Sequence, residues 1–145
     1  TPVKISDGEM SIEALPFDGL KIDFMVNFAG IGEENFSFIF DPEAYKQQIA
    51  PARTFGYLAE AQKLRQAGLA RGASEDNALI LGESGFVNSP RFPDEPVRHK
   101  ILDLLGDLLL VGAPLSAAIV ARMSGHKLNV ELAGQLRREL KHDRA

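Results

Sequence analysis

The chain contains no cysteine. That excludes a disulfide framework and any thiolate zinc site, and it leaves histidine, aspartate and glutamate as the available metal ligands. It also fits a reducing compartment. Histidine is scarce, with three in 145 residues, so imidazole chemistry has few places to sit. No apolar run approaches the ~20 residues that span a bilayer, so no transmembrane segment is expected, and no signal-peptide pattern is present. The net charge is -4, so no broad basic field points to nucleic acid. Repeats and low-complexity segments are missing as well. The first residue is Thr1 rather than Met, as in a processed or excised piece. What is present is a globular composition, 45% hydrophobic and 25% charged, in a length suited to one domain with its own core.

Strand patterns come first. Met10–Leu15 and Leu20–Phe28 are joined by the turn-like Pro16-Phe-Asp-Gly19, and Asn35–Phe40 alternates in the same way. Asp41 reads as the N-cap of a helix running through Ile49, with Glu43 in its first turn. Pro51–Gly56 reads as a loop or short strand. Tyr57–Ala67 reads as a helix closed by Gly68, Arg71–Asp76 as a turn and Ala78–Leu81 as a short buried strand. Gly82–Asp94 is loop-rich. A greasy helix is expected over Glu95–Leu110, mostly buried, followed by a turn at Val111–Pro114 and a strand over Leu115–Met123. The last helix carries Leu128, Leu132, Leu136 and Leu140 on one side. Strands with helices packed on them predict an α+β fold, a two-layer sandwich.

One polar stripe interrupts the greasy helix. His99, Asp103 and Asp107 fall at i, i+4 and i+8 and share a face. Buried carboxylates and imidazoles need partners, and His at i with Asp at i+4 suits two ligands on one ion. The competing reading is a helix-surface ion pair worth ~0.3–0.5 kcal/mol. A zinc site needs at least three ligands. His126 is a candidate third ligand, but its place after Gly125 at a helix start suits a catalytic imidazole equally well. Asp107 needs a donor of its own, and His126 is the obvious one, since a carboxylate that orients an imidazole is a common catalytic arrangement. His142 sits in the charged tail Lys141–Ala145 and reads as solvated. Thr54 could donate its hydroxyl to a developing oxyanion or be an ordinary turn residue. Lys100 reads as a snorkelling surface lysine pointing away from His99, and Phe55 and Tyr57 as core aromatics.

Three blocks occur in register: Ala52-Arg-Thr-Phe-Gly56; Val97-Arg-His-Lys-Ile-Leu-Asp103 with Gly106-Asp107; and Ser124-Gly-His-Lys-Leu-Asn129. Together they resemble the UDP-3-O-acyl-N-acetylglucosamine deacetylases, zinc amidases that commit bacteria to lipid A synthesis, over almost the whole chain. The resemblance implies that residues 1–145 form the second, C-terminal domain of a two-domain enzyme. It implies zinc ligands at His99 and Asp103, with iron(II) also suited to such ligands, and a substrate-contacting Lys100. His126 would act as the imidazolium that stabilises the oxyanion and protonates the leaving amine, Asp107 as its partner, Thr54 as an oxyanion donor and Phe55 as an aromatic wall near the sugar. Residues 55–82 would form an inserted β-α-β unit with a passage for the fatty acyl chain, lined by Leu58, Ala61, Ala70, Ala73, Ser74, Ala78 and Ile80.

The resemblance also implies partners: the UDP-3-O-acyl-N-acetylglucosamine substrate, and an N-terminal domain bringing the remaining zinc-binding histidine and a general-base glutamate. Neither of those two residues is identifiable here, so this chain alone is expected to be inactive. A Gram-negative cytoplasmic location is implied too. The alternative is a non-catalytic relative, an acyl-binding or protein-interaction domain.

Overall fold

The computed structural model of the chain describes residues 1–142. Strands β1 (Val3–Asp7), β2 (Met10–Pro16), β3 (Leu20–Phe28) and β4 (Gly32–Ile39) are followed by helix α1 (Pro42–Gln48), strand β5 (Thr54–Tyr57), helix α2 (Leu58–Gln66) and strands β6 (Ala78–Gly82) and β7 (Gly85–Phe86). Helix α3 (Glu95–Leu108), a 3-10 turn (Leu109–Val111), strand β8 (Ala117–Arg122) and helix α4 (His126–His142) complete the order.

Five strands make one mainly antiparallel sheet in the order β1-β2-β8-β3-β4, with only β3 and β8 running parallel. Alternation along the strands sends one face inward. The register lines up two apolar rows across the whole sheet: Val3–Ala14–Ile119–Ile22–Phe38 and Ile5–Ile12–Ala121–Phe24–Phe36. All of these are buried except Phe36, which is partly so. Helix α3 lies over β3 and β4, and α4 over β1 and β2. Ile101, Leu104, Leu108, Leu128 and Leu132 complete the core between the layers. This is the α+β sandwich that the sequence predicts.

Between the two halves of the chain, β5, β6 and β7 form a separate three-stranded sheet. β5 and β6 pair in parallel, so the chain must cross over between them, and α2 makes the crossover. Residues 51–56, read as loop or short strand, contain most of β5. Tyr57, expected in the helix, is instead the last residue of that strand.

Several expectations shift. Strand β1 was not singled out in the sequence, because only Val3 and Ile5 carry its apolar face. Pro16–Gly19 turns the chain without closing a hairpin, since β8 is inserted between β2 and β3 and its Ala117 N–H donates to the Gly19 carbonyl at 2.8 Å. Asp41 caps α1 as expected, its carboxylate accepting from Ala44 N–H at 3.0 Å. The greasy helix is not mostly buried. Its first residues Glu95 and Pro96 and the stripe Val97, Ile101, Leu104 and Leu108 are sealed, the other faces are not, and Leu109 in the turn beyond is 80% exposed. β8 is shorter than predicted, ending at Arg122. Met123 then takes a positive φ of 51° and turns the chain towards α4. His142 is exposed at the end of α4, and residues 143–145 of the charged tail lie outside the described residues.

Candidate active site

The first turn of α3 is anchored below the surface. Glu95 is completely buried, and its carboxylate accepts from Arg53 N–H and Nε (both 2.9 Å), Arg53 Nη2 (3.1 Å) and Arg91 N–H (2.7 Å). Burial pushes its pKa up, but the Arg53 guanidinium and the two backbone donors outweigh that and hold it below the usual carboxylate value. Arg53 also donates to the Glu75 and Ser89 carbonyls, and Arg91 to those of Pro51 and Asp76. The two arginines therefore tie β5 and the loops around β6 to the start of α3. Arg98 is stacked between Phe36 and Phe92, 4.3 and 4.2 Å from the ring centres, and pairs with Asp94.

One turn on, the anchor sets His99. Its Nδ1 lies 2.9 Å from the Ala52 carbonyl, next to the clamped Arg53. A carbonyl only accepts, so Nδ1 carries the hydrogen and the neutral ring leaves its Nε2 lone pair free. That nitrogen lies 3.4 Å from Asp103 Oδ1, and the two side chains are 16% and 25% exposed. A partly open N,O pair with a fixed tautomer fits a borderline metal ion better than it fits a stabilising ion pair. Among the described residues no group of three or more His, Cys, Asp or Glu converges; His99 and Asp103 could supply two ligands to an ion, and a third is not among them.

The stripe continues. His126 Nδ1 lies 2.7 Å from Asp107 Oδ2, and the imidazole is 68% exposed, so its Nε2 edge is open to an incoming group. Lys100, expected to point elsewhere, belongs to this face. It sits three and seven residues before Asp103 and Asp107, and a Cβ added to Gly125 would lie 3.8 Å from its ammonium. Burial lowers its pKa, and the two aspartates partly offset that. Phe55 packs edge-on to both Phe28 (5.1 Å between ring centres) and His99 (6.1 Å), so it walls His99 on the β5 side.

Thr54 opens β5 with its side chain exposed, at the edge of a cavity of about 260 Å³ in the β5-α2-β6 unit. Phe55, Ala61, Ala70, Ala73, Ser74, Ala78 and Ile80 line that cavity, joined by Leu64 and Leu79. Leu58 does not. It lines a different hollow, with Ala29, Gly30 and Leu81, because it is the first residue of α2 and lies on the side facing the β3–β4 turn.

The family model for UDP-3-O-acyl N-acetylglycosamine deacetylase (LpxC) matches residues 1–138. The chain belongs to this family. The UDP-3-O-acyl-N-acetylglucosamine deacetylase of Wolinella succinogenes is 42% identical over 143 residues, 96% of this chain and 48% of the relative. The protein of that name from Thermosynechococcus vestitus is 44% identical over 135 residues (91% and 47%), and that from Chlamydia felis 42% over 144 residues (96% and 51%). The chain thus spans about half the length of the curated relatives it matches.

In this deacetylase-family chain the fold brings His99, Lys100, Asp103, Asp107 and His126 to one face of α3 and the start of α4. Thr54 and Phe55 are presented by the neighbouring strand. Sequence reasoning missed Glu95, Arg53, Ser124 and Asn129. Glu95 at a helix start reads as an exposed acid favoured by the helix dipole, and nothing local announces that it is buried against the guanidinium of Arg53, 42 residues away in sequence.

Proposed function

We propose that this chain supplies one half of the active site of a zinc-dependent amidase that removes acetate from UDP-3-O-(3-hydroxyacyl)-N-acetylglucosamine, the committed step of lipid A synthesis. One observation carries the reading: a His99–Asp103 pair with a free Nε2 lone pair stands on the same helix face as a carboxylate-held, outward-facing His126. The names of the relatives support the substrate.

His99 and Asp103 would hold the ion, and their donor set suits zinc or iron(II). When bound, the ion supplies Lewis acidity towards the acetamide carbonyl and the attacking water. His126, protonated and held by Asp107, donates from Nε2 to the oxyanion of the tetrahedral intermediate. It then passes that proton to the glucosamine amine as the C–N bond breaks. Thr54 adds a hydroxyl donor to the same oxygen, and the Lys100 ammonium binds polar groups of the substrate. The 260 Å³ cavity beside Thr54 takes part of the fatty acyl chain. The third metal ligand and the glutamate that deprotonates water come from an N-terminal half. The setting is the cytoplasm of a Gram-negative bacterium.

Zinc titration by calorimetry tests the half-site. Weak binding is expected in this chain and none in Asp103→Ala. Equal binding by both proteins overturns the assignment of Asp103. Release of acetate from the substrate by this chain alone is expected to be undetectable, and measurable turnover would show that the residues present suffice without a second half.

A further inference from the structure

Asp107 does not hold His126 unaided. Its Oδ2, the oxygen that faces His126 Nδ1, also accepts from Asn129 Nδ2 at 3.0 Å. Asn129 Oδ1 in turn accepts from Ser124 Oγ at 2.7 Å. Both Ser124 and Asn129 are completely buried, whereas His126, two residues after Ser124, is exposed. The geometry points to Asn129 and Ser124 as positioning residues that set the orientation of Asp107 and, through it, the tautomer of His126.

The chemistry of each group dictates the direction of the chain. An ionised carboxylate only accepts, so Asn129 must present its NH₂ to Asp107. That leaves the amide oxygen facing Ser124, and the serine hydroxyl is the donor that makes this amide orientation the favourable one. A flipped amide would set oxygen against oxygen at Asp107. The terminal torsion of an aspartate is soft, and Asp107 has alternatives: open water, and the Lys100 ammonium that acts on the same helix face. Lys127, on His126's own helix, is occupied by Asp7 of β1 at 2.9 Å. Asn129 is therefore the group that keeps an Asp107 oxygen aimed at His126. With Nδ1–H donated to Asp107, the neutral ring exposes its Nε2 lone pair outward, and the protonated ring exposes Nε2–H. That is the edge the proposed reaction uses, so the inference rests on the amidase reading for its purpose. Its geometry is independent of that reading.

The test needs neither metal nor substrate. The ring nitrogens of His126 are followed by ¹⁵N NMR in the 145-residue chain, at a pH where the imidazole is neutral. The Nδ1–H form is expected to dominate in the unaltered chain. In Asn129→Leu, close in shape but without the donor, the ratio of Nδ1–H to Nε2–H is expected to fall about fivefold, the effect of losing one hydrogen bond worth ~1 kcal/mol. Ser124→Ala, which frees the amide to flip, should move the ratio the same way by less, and it carries the test if the leucine variant does not fold. An unchanged Nδ1–H population in a folded variant overturns the inference. It would do so without touching the amidase reading, which stands or falls on zinc binding and acetate release.

Discussion

Every strand of the five-stranded sheet contributes side chains to one apolar layer, whereas the β5-α2-β6 unit seals only Leu79 and Leu81, and α2 buries none of its residues. The sandwich is held by what it excludes from water. The smaller unit has too little apolar surface for that, and it is held by two arginines whose guanidinium groups bind its loop carbonyls; the Arg53 guanidinium and the Arg91 backbone N–H both donate to buried Glu95. Held from its base by polar clamps, the smaller unit leaves a hollow between its strands and α2, lined by Ala61, Leu64, Leu79 and Ile80. The 260 Å³ cavity lies in this unit.

The largest way to break this contrast is Glu95→Ala. It leaves Arg53 buried without its counter-charge and strips the Arg53 and Arg91 backbone N–H groups of their acceptor. A loss of about 3–5 kcal/mol is expected, measurable by denaturant unfolding. The sign of the pH dependence follows from the lowered pKa. The carboxylate's contribution is fully present above the ordinary glutamate value of 4.5 and is lost as pH falls through the depressed folded value. Glu95→Gln should therefore flatten the acid limb of a stability-versus-pH curve. An unchanged limb would mean that Glu95 does not titrate on unfolding.

Next in size is Gly30→Ala, at the seam between the two regions. Gly30 has a φ of +89°, and a Cβ there would lie 2.8 Å from the Gly82 carbonyl oxygen. The Tyr57 hydroxyl, at the end of β5, donates to the neighbouring Ala29 carbonyl at 3.2 Å, so the β3–β4 turn is tied to the smaller unit there and lies close against the backbone of the β6–β7 turn at Gly82 and Glu83. Strain and collision together should cost more than ~1 kcal/mol. If the regions behave as described, limited proteolysis of this variant will cut first within residues 66–78. Uniform cleavage would mean that the seam is not a boundary.

How much of this was legible depended on the range of the interaction. Alternation revealed β2, β3 and β4, and the Asp41 cap revealed α1, because both signals are local. The spacing of His99, Asp103 and Asp107 was equally plain, since a helix converts sequence spacing directly into a shared face. The place of β8 between β2 and β3 was not legible, because pairing partners about 100 residues apart leave no local mark. Lys100 was misread for a related reason: its stem is covered by elements that meet only in the fold. The Ser124-Asn129 relay was hidden in a stretch that reads simply as the start of a helix.

The smallest expected effect sharpens the comparison most. Asp103 sits on the same helix as Glu95, two turns on, yet it faces an imidazole at 3.4 Å in partial contact with water rather than the guanidinium of Arg53 under the surface. Removing it by Asp103→Ala leaves His99 still bonded to Ala52 and strands no buried charge. In the absence of metal the stability change should therefore stay within about 0.5 kcal/mol, the range of a partly exposed ion pair. A loss approaching that of Glu95→Ala would show that the pair is structural. A near-neutral result, set beside loss of zinc binding in the same variant, separates a carboxylate kept for the fold from one kept for chemistry. The helix then carries both kinds, the first at its sealed base and the second where it meets solvent.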